Sequence, residues 1–471
     1  MTKYATLLVV AAVAAGCLPE KRISWAPDGS RALVISGSDN LYLTDADGHA
    51  ERLAEGVAAA SWMSDSKRLV VVRKTTLATW NEASAVLPEP RRKDIAQLAL
   101  KLRGDLLSFQ GEMDKFKPVS IPPDRMSEFG LMLLYLRDQA PEGLEQKLGL
   151  RWSDLKNAKV DCFHVAICGA SDGKFGPNLA TALSCKNPKP SPDGKAISYI
   201  GDTMAAAESE PALVVLAADG SRPPHVVARS VAEWADWSSD SRYLAFAAAG
   251  LPKTAGKDVL RLGTVNRTMI FSDNGAMLGS DGNFPSEELA GVLFNDGMKV
   301  SCLPDGRVLF SSAEIQLPAT HDDMPQQMSL FAVDPQRSAM VVRMLPRNAQ
   351  VDLEDSTLKY FEPSPDGKQA AIVGDKGQIW VVSLLTGAVS KVLQVDKDGS
   401  SSVVPVWRSN EELTFIAPAG SQFCPGDKSE VILLDLNHQD RPRFLSRDWP
   451  ADMRNGLLDK AEAASQPASA S

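Results

Sequence analysis

Seven segments of this sequence repeat one pattern. An apolar or aromatic residue leads into a turn rich in Ser, Pro and Asp, then a basic residue, then an apolar run. The copies are WAPDGSRALVIS (25–36), WMSDSKRLVVVR (62–73), PSPDGKAISYIG (190–201), WSSDSRYLAFAA (237–248), CLPDGRVLFSS (302–312), PSPDGKQAAIVG (363–374) and WRSNEELTFIAP (407–418). Pro-Asp-Gly sets a tight turn, because Pro fixes φ and Gly accepts positive φ. The run after it alternates and is rich in β-branched residues, so it reads as a strand. A second strand–turn–strand unit follows most copies, as in LYLTDADGHAERL (41–53), LVVLAADGSRPPHVV (213–227) and IWVVSLLTGAVSKVL (379–393). Two hairpins make a four-stranded antiparallel unit, and such units repeated radially are the blades of a β-propeller. The chain is therefore expected to be all-β, a seven-bladed β-propeller, with six or eight blades as the alternatives.

These residues resemble the TolB-type, WD-repeat-like propellers. Blades of that family carry W-S-P-D-G followed by an apolar strand and then D-x-D-G. The resemblance is strongest in blades one, three, four and six. It implies an exported bacterial protein that acts through protein contacts. Some family members sit beside catalytic domains, and a few cleave sugars.

One interval breaks the repeat. Taking the turn Asp of each copy (Asn410 in the last), the spacings are 37, 128, 47, 65, 61 and 44 residues. The excess lies at 82–158. There Ile95, Leu98, Leu102, Leu106, Phe109, Met113 and Phe116 fall at steps of three and four, one face of an amphipathic helix that Pro118 ends. A second helix is expected behind Pro122 and Pro123, with Asp124 near its cap, and one or two short helices follow. The segment DCFHVAICGASDGKFGPNLATAL then supplies the missing hairpin, so the helical insertion falls between the second and third strands of blade two. The expected organisation is a signal peptide at 1–16, blade one and the first part of blade two at 17–81, the insertion at 82–158, the remaining propeller at 159–446, and a partly disordered tail at 447–471.

The long loops carry a further expectation. Residues 202–211, 273–292, 313–327 and 417–428 are all assigned to the face that bears the insertion, with short turns on the opposite face. Long loops on a rigid scaffold are where binding concentrates.

The N-terminal stretch MTKYATLLVVAAVAAGC holds one Lys and an apolar run too short to span a bilayer, a signal-peptide pattern. Its AAGC resembles the bacterial lipobox, which implies lipid attachment at Cys17. Leu18 rather than Asp follows, which by the same resemblance implies the outer membrane, facing the periplasm. Five cysteines remain: Cys162, Cys168, Cys185, Cys302 and Cys424. Cys162 and Cys185 sit on opposite arms of the blade-two hairpin and are expected to form a cross-strand disulfide. Cys162 and Cys168 are separated by about 20 Å along one extended strand. Net charge is −9 with acids and bases interspersed, which argues against a nucleic-acid partner.

Motifs with catalytic or metal-binding form are few. GASDG (169–173) matches the nucleophile elbow but lies in a strand-to-strand turn, so Ser171 is not read as a nucleophile. DADG (45–48) and DKDG (396–399) lack the acids of a calcium loop, and turn duty explains them. His321, Asp322 and Asp323 form the most concentrated polar cluster, although adjacent side chains point apart. No catalytic residue, metal or cofactor is expected. The sequence reading is a lipid-anchored, non-enzymatic binding or scaffold protein of the bacterial envelope, working through one loop-rich face on a protein partner. Its rival is an envelope enzyme acting on a polysaccharide or peptide in the propeller funnel.

Overall fold

The computed structural model describes residues 21–111, 126–204, 212–248, 259–271, 287–293, 299–313, 328–336, 341–345, 358–374, 377–393, 404–454 and 457–458. These build seven four-stranded antiparallel sheets, each a meander of consecutive strands. The blades span 23–54, 57–182, 185–229, 231–293, 300–343, 358–393 and 406–444. The protein is a seven-bladed β-propeller.

The repeated turns follow from local chemistry. In six copies the turn Asp carboxylate accepts the N–H two residues on, at 2.9 to 3.2 Å (Ser30, Lys67, Lys195, Arg242, Arg307 and Lys368 donate). The fifth letter adopts left-handed backbone. Gly29 and Gly194 have φ of 68° and 70°, while Ser66 and Ser241 stand in that conformation at 55° and 60°. A non-glycine residue there costs about 1–2 kcal/mol. Both serines offset this with a contact that Gly lacks. The Ser66 hydroxyl accepts the N–H of Asp28 at 3.2 Å, and the Ser241 hydroxyl that of Asp193 at 2.9 Å, each across a blade boundary.

The strands depart from simple alternation. In blade three, Ala196–Gly201 and Ala212–Ala217 are buried along their whole length. Each blade is sandwiched between two neighbours, so its middle strands lose both faces to the core, as in a covered sheet. The outer strand Ala50–Ala54 is less covered, with Glu51 and Arg52 exposed and the other three residues half-buried. The apolar clusters accordingly lie between blades. Leu33 and Leu43 of blade one meet Trp62, Leu69 and Val71 of blade two, and Val72 meets Tyr199 of blade three.

Closure joins blade seven to blade one without strand exchange, because Arg443–Phe444 completes blade seven's own sheet. The chain beyond it forms a wedge. Leu445, Trp449, Met453, Leu457 and Leu458 are buried in one cluster with Trp407 and Phe415 of blade seven and Ile23, Trp25 and Tyr42 of blade one. Tyr42 Oη donates to the Asp452 carboxylate. The start of the expected tail is thus core; residues 459–471 lie outside the described residues.

Between the second strand of blade two (Arg68–Leu77) and its third (Val160–Gly169) stand helices α1 (Trp80–Val86), α2 (Glu89–Ser108), α3 (Met126–Gln139), α4 (Leu144–Leu148) and α5 (Trp152–Lys156). A capping box starts α1, with Thr79 Oγ1 accepting from Glu82 N and Glu82 accepting from Thr79 N. Helix α2 buries Ile95, Ala99, Leu102 and Leu106. Leu98, expected on that face, is 40% exposed. The buried stripe is centred one residue further along, on Ala99. Met113, Phe116, Pro118, Pro122, Pro123 and Asp124 lie outside the described residues. Arg137 clamps the base of the insertion, donating to Ala78 O (2.5 Å) and Lys156 O (3.0 Å) and pairing with Asp138 (2.6 Å). Asp138 in turn accepts the first N–H of α1, at Trp80, at 2.6 Å.

Two expectations are corrected. The connection 267–286 joins the third strand of blade four (Val259–Asn266) to its fourth (Glu287–Leu293), so the elaboration placed at 273–292 is not on the face of the insertion. The sequence reading missed this because that blade's third strand is followed by a four-residue helix, Arg267–Ile270, in place of a tight turn. The second correction concerns Cys162 and Cys185, which are separate free thiols. The fourth strand of blade two ends at Ala182, opposite Phe163, and Cys185 already opens the first strand of blade three, opposite Gly201. The chain leaves the hairpin before it reaches Cys185.

Candidate functional site

The first strand of each blade borders the central channel, where neighbouring first strands contact one another. The residue immediately before the repeated motif is polar in six of seven copies: Ser24, Ser61, Lys189, Asp236, Ser301 and Glu362, with Val406 the exception. Five of the six line a cavity of about 530 Å³ in the channel. Period two brings the residue two earlier to the same side of a strand. That second ring includes Arg22, Trp234 and Lys299 at the cavity wall. Arg91 of α2 and Ser127 and Glu128 of α3 also line the cavity, so the helical insertion roofs part of it.

Two charge networks cross this channel. Lys299 is 5% exposed, and its ammonium donates to Tyr360 Oη (2.9 Å), Phe361 O (2.9 Å) and the Glu362 carboxylate. It lies 5.1, 4.3 and 5.3 Å from the ring centres of Trp234, Tyr360 and Phe361, a geometry that stabilises a desolvated cation. Burial pushes the Lys299 ammonium down to about 8, against the pull of Glu362 and with the repulsion of Lys21 and Lys189. Burial also opposes the charge of Glu362, yet Lys21 at 2.5 Å and Lys299 hold its carboxyl well below the usual carboxylate range. In the second network Asp236 pairs with Lys189 at 2.6 Å and accepts from Ser301 Oγ and Cys302 N, both at 2.9 Å. Blades one, three, four, five and six are thereby linked around the channel. The same arrangement leaves cationic and carboxylate groups of ordered position on a walled lumen, which is the chemistry of a binding cavity.

Of the residues singled out from sequence, Cys185 lines this cavity. Cys17, His321, Asp322 and Asp323 fall outside the described residues. Ser171 sits in the strand-to-strand turn after Val160–Gly169, where Asp172 accepts from Lys174 N at 3.1 Å. Asp45, Asp47 and His49 come within metal-binding distance of one another. However, Asp45 is committed to its own turn, accepting from Asp47 N at 2.9 Å and His49 N at 3.0 Å. The sequence reading missed Lys21, Arg91, Lys299 and Glu362. A signal for the channel was present in the polar residue that precedes six of the seven motif copies, in a position where an all-apolar strand would suffice.

No protein-family model matches the chain, and no curated protein is significantly similar to it. Among solved structures, TolB from Acinetobacter baumannii aligns at 14% identity and TM-score 0.37, over 59% of this chain and 58% of that one. A TolB from Agrobacterium tumefaciens aligns at 14% identity and TM-score 0.37, over 58% of this chain and 84% of that one. A prolyl endopeptidase aligns at 10% identity and TM-score 0.48, over 88% of this chain and 47% of that one. The alignments thus span less than two thirds of the first TolB and of the peptidase. The blade count rests on the seven sheets themselves.

Proposed function

We propose that the protein is a non-enzymatic binding or scaffold protein of the bacterial envelope, anchored through a lipid on Cys17 at the outer membrane and facing the periplasm. It engages a protein partner through the face that carries the helical insertion. The observation that carries this reading is the way the insertion is built into the ring. Leu77, Val160, Cys162, Leu183 and Met204 of blades two and three share one core with Trp80, Ile95, Leu131 and Leu134 of the helices. A projection seated on such a core presents its surface with little conformational entropy left to lose on binding. Leu98, Leu100 and Leu150 of the insertion are exposed, Leu150 at 81%. Exposed apolar side chains on a rigid projection are surface that a protein partner can cover.

The test is co-purification from detergent-solubilised envelopes, comparing the intact protein with L150E and L100E. A partner captured by the intact protein and lost with either surface variant supports the reading. The same proteins captured by all three would remove the insertion from the interface. Growth with labelled palmitate tests the anchor: label that disappears in Cys17→Ser supports it, and label-free protein overturns it.

The rival reading, an enzyme working in the funnel, is favoured by one observation, the displaced ionisation of Lys299 and Glu362. Each of these groups is already saturated by neighbours, which suits a structural pin better than a reactive group. Turnover of a polysaccharide or peptide that is abolished in K299M, with the fold intact, would reverse that preference.

A further inference from the structure

Among the described residues that line the cavity under the insertion, basic side chains outnumber acidic ones, six to three. The acids are engaged. Glu362 binds Lys21 and Lys299, Asp202 accepts from Leu183 N (2.7 Å) and Ser184 N (3.2 Å), and Glu128 accepts from Arg91 Nη2 at 3.2 Å.

Arg91 is the exception among the cations. It is 4% exposed, and its second terminal nitrogen, Nη1, is buried with no acceptor among the described residues. A buried charged donor left unmatched is costly, and burial denies it the relief that water would give. Trp234, in blade four, also lines the cavity, and its buried indole nitrogen lacks an acceptor among the described residues. Two residues with orphan donors thus line one walled space, each donor atom itself turned into the wall. Trp25 and Trp62 also line it, each largely buried in an inter-blade core.

We propose that this cavity is a binding site for a small organic anion, its carboxylate or phosphate group accepting from Nη1 of Arg91 after a slight turn of the guanidinium. The organic part lies along the wall to which Trp25 and Trp62 contribute, and an acceptor on it takes the indole N–H of Trp234 after a like turn of that ring. Because Arg91 belongs to the insertion and Trp234 to blade four, the bound anion ties the roof to the ring. The proposal concerns the cavity alone, so loss of partner capture in the surface variants neither supports nor weakens it.

The experiment is calorimetric titration of the full chain with citrate and, separately, inorganic phosphate, on the wild type and on Arg91→Lys. Lysine keeps a positive charge opposite Glu128 and removes the second guanidinium nitrogen. The expected result is saturable binding of one equivalent of at least one probe, weakened about tenfold or more in Arg91→Lys. The tighter probe identifies the group as carboxylate or phosphate. Absence of saturable binding by both probes, or equal affinity in the variant, overturns the proposal. Should Arg91→Lys fail to fold, wild-type crystals soaked in selenate decide the matter. An anomalous peak within hydrogen-bond reach of the Arg91 guanidinium supports the site, and peaks confined to other surfaces overturn it.

Discussion

The indole nitrogen of Trp62 donates to the main-chain carbonyl of Ser24, 2.9 Å away across the boundary between blades one and two. The same bond recurs in three of the other four copies whose first letter has a donor. Trp237 donates to Lys189 O (3.2 Å), Trp407 to Glu362 O (2.8 Å), and the Cys302 thiol to Asp236 O (3.4 Å). Pro190 and Pro363 occupy that position in blades three and six and have no donor to give. At the closure, Trp25 turns to the Thr414 hydroxyl instead, at 2.8 Å, under the Arg408 guanidinium. The motif letter is therefore an inter-blade bolt as well as a core residue.

Trp62→Phe keeps most of the ring and deletes the donor. The expected cost is about 1 kcal/mol, the net worth of one hydrogen bond. Trp62→Ala also opens a cavity and should cost about 3–5 kcal/mol. Urea unfolding midpoints check both, and a Phe variant as stable as wild type would reduce the bond to incidental geometry.

The turn serines separate strain from bonding. Ser241→Ala keeps the left-handed backbone at φ 60° and removes the acceptor for Asp193 N, so it should destabilise by about 1 kcal/mol. Ser241→Gly removes the same acceptor but relieves the backbone, and should lie close to wild type. Thermal denaturation of the pair reads the difference. If Gly were as damaging as Ala, the strain at Ser241 would be negligible.

Glu362 gives the channel a pH dependence of known sign. Its folded carboxyl sits below the usual range, because Lys21 and Lys299 outweigh burial. Its contribution to stability is therefore complete above the unfolded carboxyl pKa of about 4.3 and is lost as pH falls below that. Glu362→Gln should be less stable than wild type at pH 7 and should approach it at low pH. Lys299 acts in the opposite window: burial lowers it to about 8, so the folded state sheds its proton before the unfolded chain does. Its contribution rises with pH from about 8 to the unfolded value near 10.4. Stability-versus-pH curves of wild type, E362Q and K299M test this. Parallel curves would contradict both assignments.

Loss of one member of a buried pair costs about 3–5 kcal/mol, whereas apolar replacement of both can be neutral. K299M should be strongly destabilised, and K299M/E362Q should recover part of the loss. A double variant with simply additive losses would show that the two groups act independently.

The cysteines should behave as separate buried thiols. Burial raises Cys162, Cys168 and Cys424 to about 11 and Cys185 well above its ordinary value. Thiolate is the reactive form. A thiol reagent at neutral pH should label these four slowly in the native protein and quickly after denaturation. Non-reducing peptide mapping should recover Cys162 and Cys185 unlinked; a peptide joining them would contradict the separation of their strands into two blades.

The repeat made the blades legible because a four-stranded meander is local. Its turns, its Asp-capped N–H groups and its left-handed fifth letter all lie within a few residues of one another. The insertion was legible for the same reason, as a change of period from two to 3.6. By itself the sequence therefore determined seven blades, their turns and the place of the helices. Leu98 and Cys185 mark where local reasoning stopped. A one-residue shift of a helical face and the residue at which a strand leaves its sheet depend on what packs opposite. The channel was decided only by closure of the ring. Lys21, Lys299 and Glu362 come from blades one, five and six, and Arg91 from a helix inserted in blade two. Nothing in their sequence spacing brings them together; the rotation from each blade to the next does, because it turns seven separate first strands toward one axis.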